Sequence, residues 1–232
     1  MQLKRRRRDN IVAGVALLIV AVLATTAQIY YFSEGPGTPA PSATATDTPT
    51  DETEANVGSV PSPDVAEART WTGELVLNDI ALSVSLDGAL APQAVASVVT
   101  DIQNGYYPSK TCHRLLLAET AKVLQCGSLD GTGLGDTAYS YGPIENAPED
   151  GVYPAGTIAM ARAESAYSQD HQFFITLSDS QFPTDGGGYT VIGSVTAGLD
   201  TLVTQVAAAG VADGSTDGAP AVATTITSFT IQ

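Results

Sequence analysis

Two histidines, His113 and His171, and two cysteines, Cys112 and Cys126, are all the imidazole and thiol groups in 232 residues. That is too little for a His-rich zinc site, and the chain holds neither a G-x-S-x-G nucleophile turn nor a phosphate loop. The run Asp213-Gly214-Ser215-Thr216-Asp217-Gly218 looks superficially like a calcium loop. It lacks the alternating ligands and terminal glutamate of an EF-hand and reads as a polar turn. No metal and no cofactor is expected. What remains is Arg114, directly after His113, with a guanidinium that stays charged and presents its donors in a fixed fork. Taken alone, an arginine in a strand is a surface salt-bridge partner, and His113 a buried hydrogen-bonding histidine. Phe173 and Phe174 are neighbours in an apolar run, so in a strand one faces the core and the other a groove.

Short strands separated by two helices would have to position these residues. Ile80, Leu82, Val84 and Leu86 alternate with smaller or polar residues, the period of a half-buried strand. Glu74–Leu77 precedes them across an Asn78-Asp79 turn. Pro92 opens a helix with Val95, Val98, Val99 and Ile102 on one face, and Gly105 ends it. Further strands are expected around His113–Leu117, Val123–Cys126, Thr157–Ala161, Gln172–Leu177, Thr190–Val195 and Ala223–Ile231. Leu199, Leu202, Val203 and Val206 mark a second helix, closed by Gly210. The pattern suggests a closed antiparallel barrel capped by helices.

Charge is unevenly distributed. Five of the ten basic residues are Lys4 and Arg5 to Arg8, leaving five for the rest of the chain against 24 acids. A body that acidic repels phosphate backbones, so nucleic acid is not an expected partner. Ile11–Phe32 are 22 residues without a charge, enough for a helix to cross a hydrocarbon core of about 30 Å. The basic segment 1–10 before it predicts a cytoplasmic N-terminus and an exported remainder, with Tyr30, Tyr31 and Phe32 at the outer interface. A cleaved signal peptide is the competing reading, with Thr25-Thr26-Ala27 as a poor cleavage site. Residues 33–67, rich in Pro, Thr, Ala and acids, read as a disordered spacer, and 68–232 as the domain.

Four blocks in this domain resemble the cyclophilin family of peptidyl-prolyl cis-trans isomerases. Cys112-His113-Arg114 is similar to its F-H-R signature, and Leu124-Gln125-Cys126-Gly127-Ser128 running into Gly131-Thr132-Gly133 to its M-x-Q-G-G-D…G-T-G stretch. Gly156–Ala161 followed by His171-Gln172-Phe173-Phe174-Ile175 resembles G-x-(L/V)-(S/A)-M-A…S-Q-F-F-I, and Tyr189–Gly193 resembles the late strand. The blocks stand in family order at near-family spacing. The resemblance implies a mainly-β, eight-stranded antiparallel barrel with two capping helices, preceded here by the transmembrane helix and spacer.

It also implies acceleration of X–Pro rotation in proline-containing polypeptides by a monomer. By that analogy Arg114 is directed at the prolyl nitrogen and neighbouring carbonyl, Gln125 and Gln172 hold the peptide backbone, and His113 completes the catalytic set. Phe174 would line the proline pocket, with Val123, Phe182 and Tyr189 at family pocket positions, while Ala161 and Arg162 flank the substrate backbone. Lys122 stands where the family has an aromatic, Val123 where it has methionine, and Phe182 near a usual tryptophan. In the family barrel the strands carrying Cys112 and Cys126 are neighbours, which implies a disulfide between them in an exported domain. A peptide-binding or scaffolding module with little turnover is the alternative, and a cell-envelope structural protein a weaker one.

Overall fold

The computed structural model describes residues 54–232. The basic segment 1–10, the expected membrane span 11–32 and the expected spacer as far as residue 53 lie outside the described residues. Among those described, no helix is long and apolar enough to cross a membrane.

Strands β1 (Thr70–Leu77) and β2 (Ile80–Asp87) form a hairpin, with buried residues alternating along β2 as their period requires. Asn78 turns it with φ of 54°, a left-handed conformation that asparagine tolerates. Its side chain donates to the Ala223 carbonyl and accepts from the Thr225 amide, both at 3.0 Å, tying the turn to the C-terminal segment. Helix α1 (Pro92–Gln103) follows, then β3 (Arg114–Leu117) and β4 (Lys122–Cys126). After them come β5 (Val152–Tyr153), β6 (Thr157–Met160), β7 (Phe173–Thr176), β8 (Ser180–Gln181) and β9 (Val191–Ala197). Helix α2 (Leu199–Gln205), β10 (Asp217–Gly218) and β11 (Ile226–Ile231) complete the chain.

The main sheet runs β10-β3-β4-β7-β6-β9-β2-β1-β11, while β5 and β8 form a separate ribbon. Every pairing is antiparallel. The sheet curls until the segment entering β3 meets the start of β11. The Ile226 amide donates to Lys110, Ser109 to Ile226 and Cys112 to Thr224, at 2.8 to 2.9 Å. The sheet therefore has nine strands where eight were expected, because the two-residue β10 adds to the edge of β3. Inside the curl, Leu75, Leu82 and Leu86 pack with Leu115, Leu124, Phe173 and Ile175. Ala94, Val95, Val98 and Val99 of α1 join that cluster, the face that the helical spacing predicts.

Residues 54–67 are packed on the domain, not part of a spacer as their composition suggested. Val57 and Ser140 exchange backbone hydrogen bonds of 2.8 and 3.1 Å, and Pro63–Ala66 form a 3-10 turn with Ala66 fully buried. The Ala66 carbonyl accepts from the indole Nε1 of Trp71 at 2.9 Å, and the Pro61 carbonyl from Gln93 at 3.1 Å. Composition underestimated the segment because its backbone finds partners 32 and 83 residues away, which no local reading contains.

The N-terminus of α1 shows the same effect. Ala91 offers no side chain to the free amides, although Pro92 suits the first turn. The Glu145 carboxylate, brought from the long β4–β5 connection, accepts from the Gln93 and Ala94 amides at 3.0 and 2.9 Å. It does the work of a capping side chain and places negative charge at the positive end of the helix. Replacing Glu145 by alanine should lower unfolding free energy by about 1 kcal/mol, with glutamine intermediate, as measured by denaturant titration. An unchanged midpoint would show the cap to be dispensable.

Candidate active site

The site stands on β3, β4, β7 and β6, each of which turns one face inward. Leu124 and Cys126 of β4 point to the core, so Val123 and Gln125 point out. Phe173 of β7 enters the core and Phe174 the opposite side, as their adjacency predicted. In register, Arg114 faces Gln125, Gln125 faces Phe174, and Phe174 faces Ala159. The outward residues make a second apolar cluster of Val123, Tyr153, Ala159 and Phe174, separate from the core.

A cavity of about 300 Å³ opens above this cluster. Arg114 and Gln125 line it, as do Phe174, Val123, Phe182 and Tyr189, together with Ala161 and Arg162. All the residues expected around a proline ring are thus brought together. Leu116 also lines the cavity. Sequence reasoning passed over it, although its position two residues after Arg114 in a strand put it on the same face. Phe174, Phe182 and Tyr189 meet at ring-centroid distances of 5.2 to 5.6 Å in tilted and T-shaped arrangements. The Tyr153 hydroxyl accepts from the Tyr189 amide at 2.7 Å and donates to its carbonyl at 3.2 Å, fixing that wall. Lys122 is exposed at the end of β4 and is not among the cavity residues; this aromatic cluster supplies the floor instead.

A second cavity of about 540 Å³ adjoins the first and shares Gln125, Ala161 and Arg162 with it. Gln172 lies here with Asp136 and Asp170. A depression of about 700 Å³ between β1, β2, β9 and β11 is lined mostly by Thr, Ser and Gly and carries neither arginine nor an aromatic ring. It has none of the groups that the chemistry above requires.

The polar groups form one chain. Arg114 Nη1 donates to Gln125 Oε1 at 3.4 Å, and Gln125 Nε2 to Gln172 Oε1 at 3.1 Å. Gln172 Nε2 donates to the Leu134 carbonyl at 3.1 Å and to Asp170 Oδ2 at 3.3 Å. With 4% of its surface exposed and both amide protons engaged, Gln172 orients Gln125 more than it reaches a peptide. Gln125 keeps one N–H and one lone pair free among the described residues. On its other edge Arg114 meets Asp217, with Nε and Nη2 donating to the two carboxylate oxygens at 2.7 Å each. Two of its five N–H groups remain unengaged among the described residues. No sequence signal identified Asp217, which lies 103 residues beyond Arg114.

His113 lines neither cavity. It packs under Gly133, where an added Cβ would stand 2.9 Å from the imidazole, and neither ring nitrogen has a hydrogen-bond partner among the described residues. Burial, then the charge of Arg114, pushes its pKa down, so the ring is neutral. Arg162 donates to the carbonyls of Gly188, Ala163, Glu164 and Gly186, so it braces the loop ahead of Tyr189 as well as lining both cavities. Cys112 and Cys126 are joined as the resemblance implied, with no free cysteine among the described residues. The bridge closes a loop of about 15 residues, which the chain-entropy model values at about 3 kcal/mol. It ties the segment entering β3 to the end of β4, beside the Arg114–Gln125 pair.

His171 lies one residue before Gln172, stacked between Tyr106 and Tyr139 at centroid distances of 4.2 and 4.5 Å. Its Nδ1 is 2.7 Å from Asp101 Oδ2 and its Nε2 is 3.6 Å from Asp136 Oδ2. Burial pushes the imidazole pKa down, but the Asp101 hydrogen bond and the charges of Asp101, Asp170 and Asp136 outweigh it, and the net direction is up. Burial also pushes the Asp101 carboxyl up, more than His171 pulls it down. A raised histidine stabilises the fold fully below its unfolded pKa of about 6.5 and loses that contribution as pH rises through the folded value. The melting temperature of the wild type should therefore fall relative to that of His171→Gln between pH 6 and 9. Parallel curves would remove the imidazolium from the account.

The family model described as cyclophilin type peptidyl-prolyl cis-trans isomerase/CLD matches residues 75–231. The probable peptidyl-prolyl cis-trans isomerase B of Mycobacterium tuberculosis (strain ATCC 25618 / H37Rv) is 35% identical over 170 residues, covering 68% of this chain and 53% of that protein. Its counterpart in Mycobacterium leprae (strain TN) is 32% identical, covering 75% of this chain and 60% of that protein. The chain thus spans between half and two thirds of the length of these curated relatives. The crystal structure of a cyclophilin type peptidyl-prolyl cis-trans isomerase from Cryptosporidium parvum is similar with a TM-score of 0.56 at 22% identity, covering 71% of this chain and 97% of that one. At that identity the likeness speaks for the fold.

Proposed function

The chain belongs to the cyclophilin-type peptidyl-prolyl cis-trans isomerase family, and from that premise we propose that it accelerates rotation about X–Pro bonds in exported polypeptides. The observation that carries the reading is the joint lining of one cavity by Arg114, Gln125 and the Phe174–Phe182–Tyr189 aromatic wall. A further Cryptosporidium parvum structure with 22% identity, determined in the presence of the dipeptide Ala-Pro, is consistent with a proline ligand for this fold.

The uncatalysed barrier is about 18–20 kcal/mol because the C–N bond has double-bond character. Rotation breaks that conjugation and returns the lone pair to the prolyl nitrogen. A group that donates to this nitrogen, and finds no lone pair there in the planar forms, binds the twisted amide selectively. The free N–H groups of Arg114 are suited to that, while the aromatic wall and Val123 bury the proline ring. Gln125 then holds the neighbouring peptide group with its remaining amide proton. No bond cleavage, metal or nucleophile is involved.

Arg114→Ala should lower kcat/KM of the full chain by roughly 30- to 1000-fold, the equivalent of about 2–4 kcal/mol for a donor used in the transition state. Its melting temperature should change little, because the ion pair lost is half-exposed. Arg114→Lys should rescue poorly, since an ammonium does not reproduce the fork. Exchange spectroscopy on a short X–Pro peptide measures this. Wild-type turnover in the alanine variant would favour the binding-module reading.

The same reading has the domain held outside the cytoplasm by Ile11–Phe32, with the N-terminus inside. The basic cluster before an uncharged run supports it, and so does the Cys112–Cys126 bridge, a bond that persists in oxidising compartments. Protease added to intact cells should remove the domain; complete protection would overturn this topology.

A further inference from the structure

We propose that Asp217 is a positioning residue that aims the Arg114 guanidinium into the proline cavity, a role that rests on the function proposed above. The carboxylate takes the Nε–Nη2 edge in a two-point contact, 2.7 Å at each oxygen. A paired fork of this kind fixes the guanidinium plane as well as its place. Gln125 touches the opposite nitrogen at a longer 3.4 Å, so it alone would leave the long side chain free to turn. Between them the two contacts leave the remaining donors on the cavity side, where Arg114 lines the same wall as Phe174. The Arg114 hydrogen bond also holds the Asp217 carboxyl below the usual carboxylate range, so the pair stays charged at neutral pH.

The chain brings Asp217 here through backbone contacts that do not need its carboxylate. Strand β10 pairs with β3, Asp217 opposite Leu116 and Gly218 opposite Leu115. The Leu117 amide donates to the Thr216 carbonyl at 2.7 Å, and the Ala212 amide to the Ala219 carbonyl at 2.8 Å. The Ser215 hydroxyl donates to the Asp217 carbonyl at 3.0 Å, and Gly214 makes the turn with φ of 78°. Removing the carboxylate should therefore leave this arm in place.

The opposite effect is also physically available. An anion on Arg114 draws off positive charge that a substrate carbonyl would otherwise feel, so the ion pair would act as a brake. Both partners are nearly half exposed, which weakens the brake through solvent screening while leaving the geometric restraint intact.

The experiment measures kcat and KM of the full chain carrying Asp217→Asn, Asp217→Glu, Arg114→Ala or the Arg114→Ala/Asp217→Asn pair, together with the NMR signal and solvent exchange of the Arg114 Nε–H. Asp217→Asn should lower kcat about three- to tenfold with little change in KM, the factor associated with one long side chain losing its immobilisation. Asp217→Glu should recover part of it, and Asp217→Asn should add nothing in the Arg114→Ala background. Exchange of the Arg114 Nε–H should quicken in Asp217→Asn at an unchanged melting temperature. Equal or higher kcat in Asp217→Asn, or an unchanged Nε–H, overturns the positioning role. An inactive wild type whose Nε–H is still released by Asp217→Asn would instead overturn the isomerase reading and leave the ion pair as the determinant of Arg114's orientation.

Discussion

The antiparallel pairing of β3, β4, β7 and β6 determines where every groove residue stands, because register decides which side chains share a face. Arg114 opposite Gln125, Gln125 opposite Phe174 and Phe174 opposite Ala159 form one row across four strands. Their neighbours Leu115, Leu124, Phe173 and Ile158 form the inner layer of the core. A slip of one residue would exchange the two rows, sending Gln125 into hydrocarbon and Leu124 into water. The apolar core therefore protects this row, and the Cys112–Cys126 bridge reinforces the register beside the Arg114–Gln125 pair.

This constraint explains what could be read in the sequence. The eight longer strands, both helices and the pocket residues Val123, Phe174, Phe182 and Tyr189 were legible because period-two alternation and the order of the family blocks are local properties of the chain, whereas the two-residue strands β5, β8 and β10 are too short to show a period. Leu116 was legible in the same way and was passed over. Other features depend on encounters between distant segments. Asp217 reaches Arg114 from a turn that local patterning showed only as polar, and Glu145 caps a helix 51 residues earlier. Residues 54–67 gain their order from Ser140, Gln93 and Trp71, so their Pro- and acid-rich composition pointed to a spacer.

The scarcity of cations turns the same logic into an electrostatic one. Five basic residues serve the chain beyond its N-terminal cluster, and four have specific partners. Arg69 pairs with Glu67 and covers the Trp71 ring, and Lys110 binds the Leu129 carbonyl above Tyr106. Arg162 is engaged by four carbonyls, and Arg114 by Asp217 and Gln125. Of the two arginines lining the cavity of about 300 Å³, Arg162 has four of its five N–H groups on backbone oxygens, so two of the three guanidinium donors still open there among the described residues belong to Arg114. In an acidic body such a guanidinium has many carboxylates to which it could turn, and orientation matters more than charge.

Rotation about a peptide bond requires little of an enzyme beyond this orientation, since nothing is cleaved and no intermediate has to be held. The useful energy is the difference between how the twisted and planar amides are bound, and a mobile donor would follow the planar carbonyl as readily as the emerging nitrogen lone pair. The chain restrains its donor in layers. Asp170 and the Leu134 carbonyl fix Gln172, Gln172 fixes Gln125, and Gln125 with Asp217 fixes Arg114. Most polar groups around the cavity thus act on one another, leaving two N–H groups of Arg114 and one of Gln125 beside an apolar wall. That is the arrangement expected where selectivity for a distorted amide comes from aim, with few contacts to the ground state.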